Sequence, residues 1–306
     1  MLPSKFLCDH LGFSKEQLAF YARTCPRRYK KYPIEKRNGG KRQIAQPSKN
    51  LKIIQKLLLN GYLKKHMPVH DCATAYKEHH SILDNARPHL QNDYLLKLDF
   101  SNFFPSIKSS DFKRFCLDKQ IIAENVEEEI NLMSSILFMR EGDELVLSIG
   151  APSSPHISNA LLFNFDDKIS KIAQEAGVSY TRYSDDITFS TNEKNSLFEW
   201  PKIVENELKK LSFPRLSLNY EKIVFSSKKH NRHVTGVTIS NEGTPSLGHS
   251  RKREIRSMVY RLKNKDCAKK EIESLRGTLA FAKMVEPDFY QKLLEKYPDQ
   301  MRFLKQ

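Results

Sequence analysis

The chain has 306 residues, with 51 lysines and arginines against 36 aspartates and glutamates, a formal charge of +15 and a pI near 9.5. That length allows a large core and more than one subdomain, and the basic excess favours a polyanionic partner, nucleic acid before an acidic membrane surface. No apolar run approaches the roughly 20 residues of a membrane span. The first residues lack the pattern of a secretory signal. The five cysteines are scattered without metal-ligand spacing, which fits reduced thiols in a cytoplasmic protein rather than a disulfide or zinc framework.

Residues 14–22 read as a short helix capped by Ser14. A basic, aromatic stretch follows, then IEKRNGGKRQIAQP, in which Asn38-Gly39-Gly40 marks a turn between two strands. This hairpin carries Lys36, Arg37, Lys41 and Arg42. Such a cluster is most often a solvated face, but on a Gly-rich hairpin it can fold a cationic tip over a triphosphate. Residues 48–66 space Leu51, Ile54, Leu58 and Tyr62 as a core-packing amphipathic helix capped by Ser48. In SILDNARPHL, residues 81–90, Asn85 and His89 are neighbours if a helix forms, and Pro88 opposes a regular one.

Residues 94–100 make a strand that carries Asp99 at its end, and helices follow from Ser109 or Ser110 and over about 125–138. Gly150 and Pro152 break the chain into a polar loop. A helix then runs to about 176, with Leu161, Leu162, Phe165, Ile169 and Ile172 as its buried stripe and Gly177 as its stop. YTRYSDDITFS, residues 180–190, reads as strand, tight turn, strand, with Tyr180, Arg182 and Ser184 facing one way and Tyr183 the other. A helix near 197–211 precedes two β-like runs, LSLNYEKIVFSS with Lys222 and RHVTGVTIS. Residues 249–306 read as helical, and Arg251, Lys252, Arg253, Arg256, Arg261, Lys263 and Lys265 open them with few acids nearby. This pattern suits a solvated helix or contact with a duplex backbone.

Asp185 and Asp186 stand side by side at the hairpin tip, where they repel each other. Taken alone, the pair is most often a solvated turn. Asp99, ending a second strand, changes the balance. Three acids from two strand ends can converge on a pair of metal ions, as in-line nucleotidyl transfer requires. Mg²⁺ in particular is held by a few carboxylates plus substrate phosphates.

Four collinear segments resemble reverse transcriptases: LDFSNFFPSI around Asp99, GAPSSPHISN at 150–159, RYSDDITFS around Asp185, and the stretch with Lys222. Asn85-Ala86-Arg87-Pro88-His89 and Val234-Thr235-Gly236 are similar to the NAxxH and VTG patterns of the bacterial retron enzymes, and the likeness runs from about residue 28 to 295. The resemblance implies an α+β right hand, with fingers and an antiparallel-sheet palm in 1–240 and a helical, RNA-binding thumb in 241–306. It implies that Asp99 and Asp185 ligate two Mg²⁺ ions with help from the Phe100 backbone carbonyl, that Asp186 supports them, and that Lys222 protonates the leaving pyrophosphate. Arg42, with Lys36 or Lys41, would clamp the triphosphate, Gly150 would line the dNTP pocket, and Phe104 would block a ribose 2′-OH. Asn85, His89, Val234, Thr235, Gly236, Arg251 and Arg253 would contact RNA.

The partners so implied are dNTPs and a cognate structured noncoding RNA, primed from a guanosine 2′-OH and copied in part into multicopy single-stranded DNA. A separate effector protein of an antiphage defence system is also implied, and no membrane. Two departures stand out. Ile149 replaces a frequent Gln before the Gly, which removes a side-chain hydrogen bond to the incoming sugar, and Ser184 replaces a frequent Ala, a small residue for a small one. A group II intron-like enzyme on another template is opposed by the missing maturase and endonuclease regions. A non-catalytic RNA-binding scaffold is opposed by the presence of all three acids. A metal-dependent nuclease gives no reason for Phe104 or the cationic hairpin.

Overall fold

The computed structural model describes residues 1–35, 39–262 and 268–305. Helix α1 (Pro3–Leu11) begins on a proline, and α2 (Lys15–Thr24) begins with a capping box between Ser14 and Gln17. Strands β1 (Tyr29–Glu35) and β2 (Lys41–Pro47) form an antiparallel ribbon in which Glu35 faces Lys41. Lys36, Arg37 and Asn38 lie outside the described residues.

Helix α3 (Lys49–Leu58) buries Leu51, Ile54 and Leu58, as their spacing predicts. The Ser48 side chain makes no capping bond, and a π-helical turn, Leu59–Leu63, separates α3 from α4 (Lys64–His66). Gly61 in the widened turn receives the Phe6 ring, since a Cβ there would lie 2.1 Å from Phe6 Cζ. Helix α5 (Ile82–Ala86) lasts little more than one turn before Pro88 forces a 3₁₀ turn over Arg87–His89.

The central sheet begins with β3 (Tyr94–Asp99). A helical block follows: α6 (Phe103–Ser106), α7 (Ser109–Asp118) and α8 (Val126–Leu137). Lys108, not a serine, holds the cap position of α7, its N–H donating to Asp111. After the small hairpin β4 (Met139–Glu141) and β5 (Glu144–Val146) come α9 (Ser154–Leu161) and α10 (Phe163–Glu175). The single helix expected there is broken at Leu162. Strands β6 (Ser179–Tyr183), β7 (Asp186–Thr191) and β8 (Val224–Ser227) complete an antiparallel sheet of order β6-β7-β3-β8, and helix α11 (Trp200–Lys210) lies in the chain between β7 and β8. Lys222 sits in a 3₁₀ turn, Tyr220–Lys222, before β8 rather than within a strand.

Cross-strand register assigns the two faces of this sheet. Leu96, Leu98, Tyr180, Ile187 and Phe189 alternate onto the back face and join one large core with helices α3 and α7 to α11. The front face carries Asp99 opposite Asp186, Lys97 opposite Thr188 and Leu95 opposite Ser190. Leu95 and Ala86 belong to a second core with Val234, Val237 and the C-terminal helices.

That second unit contains β9 (Arg232–Val234), β10 (Val237–Ile239) and β11 (Pro245–Ser246) in one sheet, then α12 (His249–Arg261), α13 (Lys269–Val285), α14 (Pro287–Lys296) and α15 (Pro298–Lys305). Its core begins at Val234 and the β10–β11 pairing spans residue 240, so a boundary at 240/241 cuts a sheet. Basic side chains of α12 serve partly in packing: Arg251 stacks on Phe281 at 4.2 Å and Lys252 pairs with Glu286 at 2.8 Å. Lys263, Lys265 and Cys267 lie outside the described residues. No described helix is long and apolar enough to cross a membrane.

Candidate active site

Three carboxylates gather at one end of the front face. Asp99 ends β3 directly opposite Asp186, the first residue of β7, and Tyr183 pairs with Asp186 across a two-residue turn, Ser184-Asp185. Ser184 takes a left-handed φ of +61°, an unusual backbone for a residue other than glycine. The Phe100 N–H donates to the Asp185 carbonyl at 3.0 Å, tying the turn to the end of β3. Residues 217–219 run beside this end, Asn219 N–H donating to the Asp99 carbonyl at 2.8 Å, and they deliver Lys222, whose Nζ lies 2.8 Å from Asp99 Oδ1.

The electrostatics record the crowding. Asp99 is buried, Asp185 half-buried, and Asp186 exposed. Even so, desolvation by the surrounding protein, then Asp185 and Asp99, push Asp186 up to about 7. Asp185 is also raised, mainly by desolvation and then by Asp99, with Arg42 and Lys222 opposing the shift. Arg42, exposed on β2, therefore lies within the field of the carboxylate turn.

Among the described residues no three Asp, Glu, His or Cys side chains form a closed metal cage. The donor set nevertheless fits a hard divalent cation. The side-chain donors are all carboxylate oxygens, and the Lys222 ammonium stands in as a cation on Asp99. Mg²⁺ completes its octahedron with water and substrate phosphates, so an open face of acids suffices.

Gly150 meets the hairpin backbone to backbone. The Ala45 N–H donates to the Ile149 carbonyl at 2.9 Å, and a Cβ on Gly150, whose φ is +129°, would come 3.0 Å from the Ala45 carbonyl oxygen. Residue 149 thus contributes its backbone here, a role any side chain permits. Phe104 is half-buried in α6, its ring edge-on to Phe103 at 5.2 Å, while Phe103 stacks on Phe100 at 5.6 Å. Lys41 is exposed on the hairpin, and Lys36 lies outside the described residues.

The residues expected to touch RNA divide. Arg253 is exposed on α12 and Arg251 is half-buried on Phe281. Asn85, His89 and Val234 are fully buried, which corrects the expectation of direct contact. Asn85 Oδ1 accepts from Thr74 Oγ1 at 2.9 Å, and its amide reaches Thr235 Oγ1 at 3.4 Å. His89 bridges Ser190 Oγ at 2.6 Å and Thr181 Oγ1 at 2.8 Å on the front face, and burial lowers its pKa to about 3. Thr235 (φ +47°) and Gly236 (φ +84°) form the turn between β9 and β10, a two-residue hairpin with both central residues left-handed. The two segments thus meet each other and join the sheet to the C-terminal unit.

Sequence reasoning passed over Asp166 and Arg182, both fully buried and paired behind the turn. The signal was present: an acid on the apolar stripe of one helix and a cation on the inward face of one strand.

A family model described as reverse transcriptase (RNA-dependent DNA polymerase) matches residues 34–239. The chain is similar to the retron Ec83 reverse transcriptase of Escherichia coli, at 44% identity over 88% of this chain and 86% of the relative. It is also similar to the retron Ec73 enzyme of E. coli, at 31% over 96% and 93%, and to the retron Ec86 enzyme of E. coli, at 31% over 92% and 84%.

Proposed function

The chain belongs to the retron reverse transcriptases, RNA-dependent DNA polymerases that use dNTPs, an RNA template and a divalent metal, and from that premise we propose that Asp99, Asp185 and Asp186 are its catalytic acids. The observation that carries the reading is the facing of Asp99 and Asp186 across β3 and β7, with Asp185 in the adjoining turn. Asp99 and Asp185, helped by the Phe100 carbonyl, would hold two Mg²⁺ ions, and Asp186 would lend charge from beside them. Bound there, such ions would lower the pKa of a primer hydroxyl and would neutralise charge building on the phosphates.

The protein's own groups do the rest. Arg42, with Lys41 or Lys36, holds the triphosphate from the hairpin, and Gly150 keeps its loop close enough to line the pocket. Phe104 excludes a ribose 2′-OH by steric clash. Lys222 leaves Asp99 and donates a proton to the departing pyrophosphate. Arg251 and Arg253 on the helical thumb offer cations to an RNA backbone. Fingers and palm occupy the N-terminal part of a right hand, and the unit that begins near Val234 is the thumb.

The specific reaction we infer is priming from a guanosine 2′-OH of a cognate noncoding RNA and partial copying into multicopy single-stranded DNA, within a bacterial antiphage defence system that includes a separate effector. Nucleic acid that copurifies from cells carrying the native flanking DNA tests this. A discrete short DNA whose mobility changes after RNase, and which disappears in Asp185→Asn, supports the reading. RNA alone, unchanged by that substitution, overturns the priming half of it.

A further inference from the structure

The turn that carries Asp185 stands on a buried charge. Arg182, on the back face of β6, is fully buried and has four hydrogen bonds. Its Nε and Nη2 bind both oxygens of Asp166 at 2.8 and 2.5 Å, and its Nη1 reaches Asn159 Oδ1 at 2.9 Å and the Ser184 carbonyl at 3.0 Å. Tyr180 adds a fifth bond to the cluster, its hydroxyl donating to Asp166 Oδ1 at 2.8 Å. Asp166 lies on α10 and Asn159 on α9, where Asn159 Nδ2 also donates to the Ala75 carbonyl at 2.9 Å.

A buried ion pair is a weak source of stability, because taking both charges out of water costs about as much as their attraction returns. Here one guanidinium N–H is instead spent on the carbonyl of Ser184, the residue with the left-handed backbone. Such a conformation is strained and persists only where its surroundings over-determine it. On the reading that the turn is catalytic, we propose that Arg182, oriented by Asp166, is a positioning residue: it holds the Ser184 carbonyl, and so sets the Asp185 carboxylate for metal binding. It touches neither metal nor substrate. The fork geometry is essential, since an ammonium has no planar set of donors for Asp166, Asn159 and Ser184 together.

The test replaces the ion pair by an apolar pair of similar volume, Arg182→Met with Asp166→Leu, a change that commonly preserves or raises stability. Three quantities are measured: the melting temperature, Mn²⁺ affinity from the loss of the free-ion resonance signal, and the rate of dNTP incorporation on a primed RNA. The expected result is a folded protein, its melting lowered because Asn159, Tyr180 and the Ser184 carbonyl lose their partners, with Mn²⁺ affinity and incorporation each lower by about 10- to 100-fold, the range for residues that orient metal ligands. A folded pair variant with parental Mn²⁺ affinity and rate overturns the proposal. Should that variant not fold, Arg182→Lys decides, because it keeps the charge and most of the volume: weakened Mn²⁺ binding in a folded protein supports the proposal, and parental binding overturns it. Asp185→Asn is the control for the underlying reading. If it polymerises at the parental rate, the catalytic assignment fails. If it is inactive while the pair variant is parental, only the role of Arg182 fails.

Discussion

The Lys222 ammonium lies 2.8 Å from Oδ1 of Asp99, a carboxylate proposed above to hold metal. Lys222 is half-exposed, so it can swing away when a cation binds. Replacing it with methionine is expected to leave Mn²⁺ affinity in the absence of nucleotide unchanged or higher. Incorporation is expected to fall by about 100-fold, the contribution typical of a positioned proton donor. Ion titration and single-turnover incorporation check this, and a parallel loss of both would contradict it.

The stability of the metal-free protein should depend on pH in two opposed ways. Asp186 is raised in the fold from 3.8 to about 7, so its contribution is complete below the unfolded value and is lost as pH rises through 7. His89 is lowered from 6.5 to about 3, so its contribution is present above the unfolded value and is lost as pH falls towards 3. Both effects fall between about pH 3 and pH 7: there Asp186→Asn should remove a loss of stability as pH rises, and His89→Gln a loss as pH falls, which melting curves at graded pH will register. Mg²⁺ should stabilise more at pH 8 than at pH 6, because it binds the deprotonated acids.

Asn85 is expected to matter through folding. Asn85→Ala removes the hydrogen bonds to Thr74 and Thr235, which keep only the Arg182 and Ile82 carbonyls at 3.3 Å, a cost of about 0.5–1.5 kcal/mol for each bond lost. Denaturant unfolding should register that loss, while RNA affinity measured well below the melting transition stays near parental. Parental stability with collapsed RNA affinity would restore a direct contact for this residue.

Phe104→Ala should relax sugar selection. Removing a ring that opposes one hydroxyl is worth about 1–3 kcal/mol of discrimination, or roughly 10- to 200-fold in the ratio of ribonucleotide to deoxynucleotide incorporation. Competition between matched dNTP and rNTP on one primed template reads this directly.

Much of this architecture was legible in the sequence where local chemistry decides. Ser14 announces its helix cap, Leu51, Ile54 and Leu58 their buried stripe, and the alternation around Asp185 its hairpin. The meeting of Asp99 with Asp186 needed the register of two strands nearly ninety residues apart, which motif order suggests and pairing alone supplies. The π-turn at Gly61 was hidden, and so was the Phe6 ring that packs against it from α1, far off in the sequence. The burial of Asn85 and His89 was hidden for a related reason. Both are polar side chains whose partners, Thr74, Thr181, Ser190 and Thr235, come from distant segments, and nothing local distinguishes them from surface groups that await RNA.

The most direct test of the central claim is Mg²⁺-dependent dNTP incorporation on a primed RNA by the parent chain and by Asp185→Asn, each with its RNA affinity measured alongside. The account predicts extension by the parent, none by the variant, and similar RNA binding by both. Extension by Asp185→Asn at the parental rate would contradict it.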